Sequence, residues 1–255
     1  MALVRRPDDK DCDAPSWRWI FLVVFALLFI ANVALMVVWC SSMSGMGVIP
    51  MPGDWAVSMM WIPMCGQTWL DAAASFVAMW IVMMMAMMLP SLAWTSWHAE
   101  LDAIDLALLC LGYFSVWAFL GLTVFMVGAG LVAVAMRLSA FAQFMPFAAG
   151  VSVLLAGIFQ FSVLKVHFLA DCSQVLRSAP AFRQGLSLGS HCCCSCAGLT
   201  TVLLVFGMMD LRTMVAVTAA VTAERVVPAG MRIAHATGAL AIGAGALMIA
   251  RAVAG

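Results

Sequence analysis

Charge is what this chain has least of: 12 basic and 12 acidic residues are all that 255 positions carry, 9% of the total, and they cancel. A soluble domain has roughly 25% charged residues, so a water-exposed globule is excluded. No basic run or patch is present, which removes nucleic acid from the partners to consider. A phosphate-binding glycine loop, a nucleophile elbow and a paired-carboxylate arrangement are also missing. No catalytic residue can be named, and whether the chain is an enzyme stays open, with the balance against it.

Apolar residues fill the gap at 65% of the chain. Several runs reach the ~20 residues a helix needs to cross a bilayer. Backbone polar groups must be satisfied within each crossing, so the expected class is all-α: a polytopic transmembrane helix bundle, one integral membrane domain over residues 1–255 in contact with the lipid bilayer. The first run, "WRWIFLVVFALLFIANVALMVVWC" (17–40), follows Arg5, Arg6, Lys10 and Arg18. It exceeds the ~7–15-residue core of a signal peptide and ends in Trp39-Cys40, so it reads as a retained span. Further spans are expected at about 72–94, 104–136, 142–166, 188–209, 211–228 and 232–251, about seven in all, or six to seven given the length of the third. Residues 41–71 form an extracytoplasmic loop with three prolines and no Lys or Arg.

Basic residues favour the cytoplasmic side. With seven spans and a cytoplasmic N-terminus, Arg5, Arg6, Lys10, Arg18, Lys165, Arg177, Arg183, Arg225 and Arg232 lie inside, against Arg137, Arg212 and Arg251 outside. That ratio supports the topology, and a bacterial inner membrane as the location. His98, His167, His191, His235 and Glu224 then gather near cytoplasmic ends, with "HCCCSC" (191–196) at the entrance of the fifth segment.

That hexapeptide is the strongest chemical signal. On a helix, Cys192 and Cys196 are four apart and Cys193 and Cys196 three apart, so they share a face while Cys194 points elsewhere. Thiolates select soft metals such as Cu(I) and Zn(II), and His191 can add a nitrogen. Cysteine is also a small hydrophobe tolerated in helix packing, but four of them beside a histidine favour ligation. Cys193 and Cys196 also have C-x-x-C spacing, a redox pattern, here without the soluble fold that normally carries it.

Methionine is the second signal, 22 in the chain. In the second segment Met83 pairs with Met87, and Met84 with Met88, one turn apart. Thioethers suit Cu(I), although methionine also fills irregular helix interfaces. The outer loop adds Met43, Met46, Met51, Met59, Met60 and Met64 where no core needs filling. Trp55, Trp61 and Trp69 can anchor that loop at the interface, and Cys40 and Cys65 are candidates for a disulfide. Charges at membrane depth are functional candidates by default. Glu224 is therefore a metal-ligand candidate, or an architectural partner of Lys165 or Arg225, both of which can snorkel. Asp71 suits the start of the second segment.

Several stretches resemble the bacterial domain-of-unknown-function family 2182, described as predicted metal-binding integral membrane proteins. "MWIVMMMAMMLPS" (79–91) resembles its Trp, Ala-Met-Met run and Pro, and "LGYFSVWAFLG" (111–121) its Gly-Tyr and Trp. In "LKVHFLADCSQVLRSAP" (164–180), Lys165, Cys172 and Pro180 match family positions, and "AERVVPAG" (223–230) lies where the family has Glu-Lys followed by Pro and Gly. "HCCCSCAGL" lies at its Cys-x-Gly-Cys-Cys-Trp motif. Cys192 and Cys196 match motif cysteines, while Cys194, Ser195 and Ala197 replace Gly, Cys and Trp. The resemblance covers about 75–235 and implies metal handling without naming a reaction.

The leading expectation is a Cu(I)-handling protein for binding, transport or delivery to a copper enzyme. Its metal ligands are drawn from Cys192, Cys193, Cys196, His191, Met83, Met84, Met87, Met88 and Glu224. Zinc and haem stand as alternative cofactors. A copper chaperone, other membrane subunits or a homo-oligomer are the partners this admits. Two other classes compete: a non-catalytic subunit packing through small residues such as "GALAIGAGAL" (238–247), and a membrane thiol-disulfide redox protein.

Overall fold

The computed structural model describes residues 16–43, 48–51, 55–58, 61, 66–97, 103–165, 180–208, 210–227 and 230–254. These form helices α1 (Ser16–Met43), α2 (Trp69–Trp97), α3 (Ala103–Arg137), α4 (Ser139–Phe159), α5 (Ala181–Phe206), α6 (Leu211–Val226) and α7 (Gly230–Ala254). A two-stranded antiparallel hairpin, β1 (Val48–Met51) with β2 (Trp55–Ser58), lies between α1 and α2, pairing Val48 with Ser58 and Met51 with Trp55. The helical class holds, with this hairpin as the departure.

Helix ends follow from local chemistry. Thr68 and Asp71 form a reciprocal capping box: Thr68 N and Oγ1 donate to Asp71 Oδ2 at 3.0 and 2.7 Å, and Asp71 N donates to Thr68 Oγ1 at 3.2 Å. Asp210 caps α6, accepting from the amides of Arg212 and Thr213 and, at 2.6 Å, from Thr213 Oγ1. The Thr213 hydroxyl holds this carboxyl below its usual range. Pro180, with no amide to lose at a helix start, precedes α5. Gly207, at φ +112°, ends it where a side chain would strain the backbone.

Among the described residues, five helical stretches are long and apolar enough to cross a membrane: Trp69–Pro90, Ile104–Arg137, Ser139–Phe159, Ala181–Phe206 and Gly230–Ala254. They support a membrane-capable helical bundle, with fewer such stretches than the seven expected. α6 has 16 residues, about 24 Å at 1.5 Å per residue, short of a ~30 Å hydrocarbon layer. The basic-residue count for the N-terminus assumed seven crossings and loses that footing. The fifth segment also begins earlier than expected, at Ala181, so "HCCCSC" occupies the middle of α5 and not its entrance.

Glycine sets how closely the helices approach. A Cβ on Gly185 would strike the Leu109 carbonyl, one on Gly112 the Phe182 carbonyl, and one on Gly189 would lie 2.9 Å from the Tyr113 carbonyl. α3 and α5 are thus in backbone contact along Gly185-x-x-x-Gly189, a small-residue spacing that suits apolar surroundings. α4 and α7 repeat the device at seven-residue spacing: Gly157 faces Gly238, and Gly150 faces Gly245. The small-residue run at 238–247 is therefore used inside the chain at Gly238 and Gly245, while Gly243 faces open space.

Gly185→Ala should destabilise the bundle by roughly 1–3 kcal/mol, because the neighbouring backbone cannot move aside. Gly243→Ala should stay within about 0.5 kcal/mol of the parent. Thermal unfolding of detergent-purified variants checks this, and equal Tm values for the two would contradict the packing described.

Candidate metal centre

Along α5 the buried positions include Gln184, Gly185, Leu188, Gly189, Cys192, Ser195, Cys196, Leu199 and Leu203, the spacing of one helix face, while Gly198 and Thr200 are buried as well, Gly198 against Ala156 of α4. Cys192 and Cys196 fall on this face, at 0% and 3% exposure. Cys193 is half-buried and Cys194 exposed. One turn separates the two inward thiols, so their Cβ atoms are about 5–6 Å apart.

Three other helices converge on them. From α2, Met88 brings its Sδ to 3.8 Å from Cys192 Sγ, which donates to it. From α3, Tyr113 Oη lies 2.9 Å from the same sulfur. With Cys192 as a thiolate, the phenol is the donor of this pair. From α6, Arg225 Nη2 donates to Cys192 Sγ at 2.9 Å, Ser195 Oγ at 2.9 Å and Cys196 Sγ at 3.3 Å. Ser195 Oγ in turn donates to the Cys192 carbonyl at 2.9 Å. Two thiols, a thioether, a phenol and a guanidinium thus meet at one interior point.

Helix packing places each group. The Gly185 and Gly189 contacts bring α3 close enough for Tyr113 to reach Cys192. α2 is fixed against α3 by Trp80, whose Nε1 donates to the Trp117 carbonyl at 3.0 Å and whose ring lies over Gly121. Met79, Met83, Met84, Met87 and Met88 are all at most 2% exposed and belong to the same core as Trp80, Tyr113, Trp117, Cys192 and Cys196.

Beside this centre lies a buried ion pair. Lys165 Nζ is 2.6 Å from Glu224 Oε2, with side chains 0% and 4% exposed. Lys165 also donates to Gln160 Oε1, and Thr237 Oγ1 donates to Glu224 Oε1 at 3.0 Å. Glu224 is thus held by Lys165, the architectural role, rather than brought to the sulfurs. Arg225, the next residue, turns to the thiols instead of snorkelling outward.

The remaining candidates are distributed as follows. His191 is half-buried, immediately before Cys192 on α5, and His235 stacks on Phe161 with ring centroids 5.0 Å apart. His98, His167, Cys172, Met46, Met59, Met60, Met64 and Cys65 lie outside the described residues, as do the side chains of Met43, Met51 and Cys40. Among the described residues, no group of three or more His, Cys, Asp or Glu side chains is placed to hold a metal ion. Counting Met88, two thiols and one thioether lie together. Sequence reasoning missed Tyr113, Ser195 and the inward turn of Arg225. Tyr113 had an available signal, being the chain's one tyrosine and lying within an apolar run.

A bundle of membrane-length helices closing over two thiols and a thioether offers a soft-metal donor set. A family model described as a copper chaperone, PpoB2, matches residues 77–248, and the chain belongs to that family. The matched range contains Met88, Tyr113, Lys165, Cys192, Cys196, Glu224 and Arg225. No curated protein and no solved structure matches the chain.

Glu224→Gln leaves a buried lysine without its counter-charge and should destabilise by about 3–5 kcal/mol. The double variant Lys165→Met, Glu224→Leu should recover most of that loss. Thermal unfolding in detergent decides, and an unchanged Tm for Glu224→Gln would show that the pair is not structural.

Proposed function

We propose that this chain is an integral membrane protein, a single domain of a bacterial inner membrane, that holds Cu(I) as cargo and passes it to a copper-using partner. The observation that supports this reading is the convergence of Cys192, Cys196 and Met88 on one buried point. Two thiolates and a thioether match the softness and low coordination number of Cu(I). Structural zinc takes four ligands from Cys, His or carboxylate groups, and no such group is placed for it among the described residues. The family's description as copper chaperones points the same way.

The proposed ligand set is narrower than the sequence suggests. Cys193, Cys194 and His191 stand outside it, and Glu224 serves Lys165. Met83, Met84 and Met87, buried in the same core, form a thioether route toward the Met-rich outer loop at 41–71. Thioethers survive oxidising surroundings in which thiols pair, so the loop collects Cu(I) and the thiols retain it.

Full-length protein purified in detergent and loaded with Cu(I) should carry close to one copper per chain by mass spectrometry. Cys192→Ser/Cys196→Ser should lose it, and Met88→Leu should weaken affinity by about tenfold or more. Cys193→Ser/Cys194→Ser should match the parent. Full copper retention by a folded Cys192→Ser/Cys196→Ser variant would overturn the assignment.

A further inference from the structure

We infer that Trp61, carried by the loop at 41–71, is a lid over the loop end of the buried methionines, and that Cu(I) enters when its ring leaves a seat at Gly128. The inference rests on the thioether route and sulfur site proposed above and adds the step that sets how fast the ion moves along that route.

Trp61 turns inward. Its ring lies so close to Gly128 of α3 that a Cβ there would collide with it, and it packs against Phe76 of α2 with ring centroids 5.0 Å apart. Phe76 in turn meets Phe125 of α3 at 5.3 Å and Trp80 at 6.0 Å. Phe76, Phe125 and Trp80 are at most 3% exposed, and Trp61 packs against the same core that holds the buried methionines, Cys192 and Cys196. Along α2, Phe76 stands one turn before Met79 and about 18 Å before Met88. Four rings thus close the end of the methionine column that faces the loop. Three of them sit on α2 and α3, which are tied together by the Trp80 hydrogen bond to the Trp117 carbonyl and by the Trp80 ring at Gly121. The fourth, Trp61, belongs to neither helix. Ring pairs of this kind are individually weak, and loop segments move faster than packed spans, so this is the ring that can leave and return.

A lid changes rates without changing the strength of the site beneath it. Full-length protein in detergent is mixed with Cu(I) held by a coloured bicinchoninate chelator, and the loss of colour gives both the loading rate and the final partition. Trp61→Ala should load, and return copper to excess chelator, about tenfold faster or more than wild type, with the final partition unchanged. Trp61→Phe, which keeps a ring for the seat, should stay near the wild-type rate. Gly128→Ala, which expels the ring from the other side, should approach Trp61→Ala, and it carries the test if Trp61→Ala fails to accumulate as folded protein. The double variant should be no faster than Trp61→Ala, because both changes remove one seat.

A wild-type loading rate in folded Trp61→Ala or Gly128→Ala would overturn the lid. So would faster release without faster loading, which would make Trp61 a support of the bound state and not a barrier to entry. Additive effects in the double variant would show that ring and glycine act separately, and the seat at Gly128 would fall. Wild type that takes no copper from the chelator would instead overturn the sulfur site itself. Failure of the lid leaves the wild-type copper content in every variant, so the two failures are distinguishable.

Discussion

Two adjacent charges on one short helix have to be neutralised inside an apolar bundle, and much of the architecture around the candidate centre answers that demand. Glu224 and Arg225 follow one another near the end of α6, so their side chains diverge and cannot share a partner. Glu224 is met by Lys165 and accepts from Thr237, while Lys165 also donates to Gln160. Arg225 is met by Cys192, Ser195 and Cys196. One polypeptide turn therefore ties a structural ion pair to a sulfur centre. α6 is too short to cross a bilayer, yet it supplies both charges.

That arrangement needs helices held closer than ordinary side chains allow. The α3–α5 contact at Gly185 and Gly189 puts Tyr113 within 2.9 Å of Cys192. The α4–α7 contact, with glycines facing glycines, sets Gly157 and Gly238 against each other, three residues before Gln160 and next to Thr237 respectively. A methyl group at either interface would push apart the elements that carry the polar groups. The large buried aromatics Trp80 and Trp117 lock α2 to α3, through the Trp80 Nε1 hydrogen bond to the Trp117 carbonyl and the Trp80 ring at Gly121. Close glycine contacts with α5 and this aromatic contact with α2 fix α3 from two neighbours.

Much of this was legible in the sequence, and the limits have a physical cause. Long apolar runs gave the helices at 69–97, 103–137 and 230–254 to within a few residues, because span length depends on composition alone. The same rule over-counted at 211–228, where the run is apolar but the helix stops at Val226, before Pro228. The thiol pair was readable because i and i+4 always share a helix face. Met88 was readable only as one of four, since choosing among methionines requires knowing how α2 is rotated against α5. Lys165 and Arg225 were both credible partners for Glu224 by chemistry, and the choice between them is made by inter-helix geometry. Arg225 read as a snorkelling residue because its neighbours in sequence do not reveal the thiols that lie across the interface.

A carrier of copper must hold the ion and also give it up, and the donor set proposed here suits both. Two thiolates supply the affinity. The third donor is a thioether, neutral and more weakly held, so it is the natural point at which an incoming ligand enters. Arg225 and Tyr113 direct N–H and O–H groups at the sulfurs, which draws electron density from them and weakens their hold on the metal. A site built from four thiolates would bind more tightly and release more slowly. Two thiols, one thioether and a guanidinium instead place the centre between storage and free exchange, the range in which a chaperone has to work.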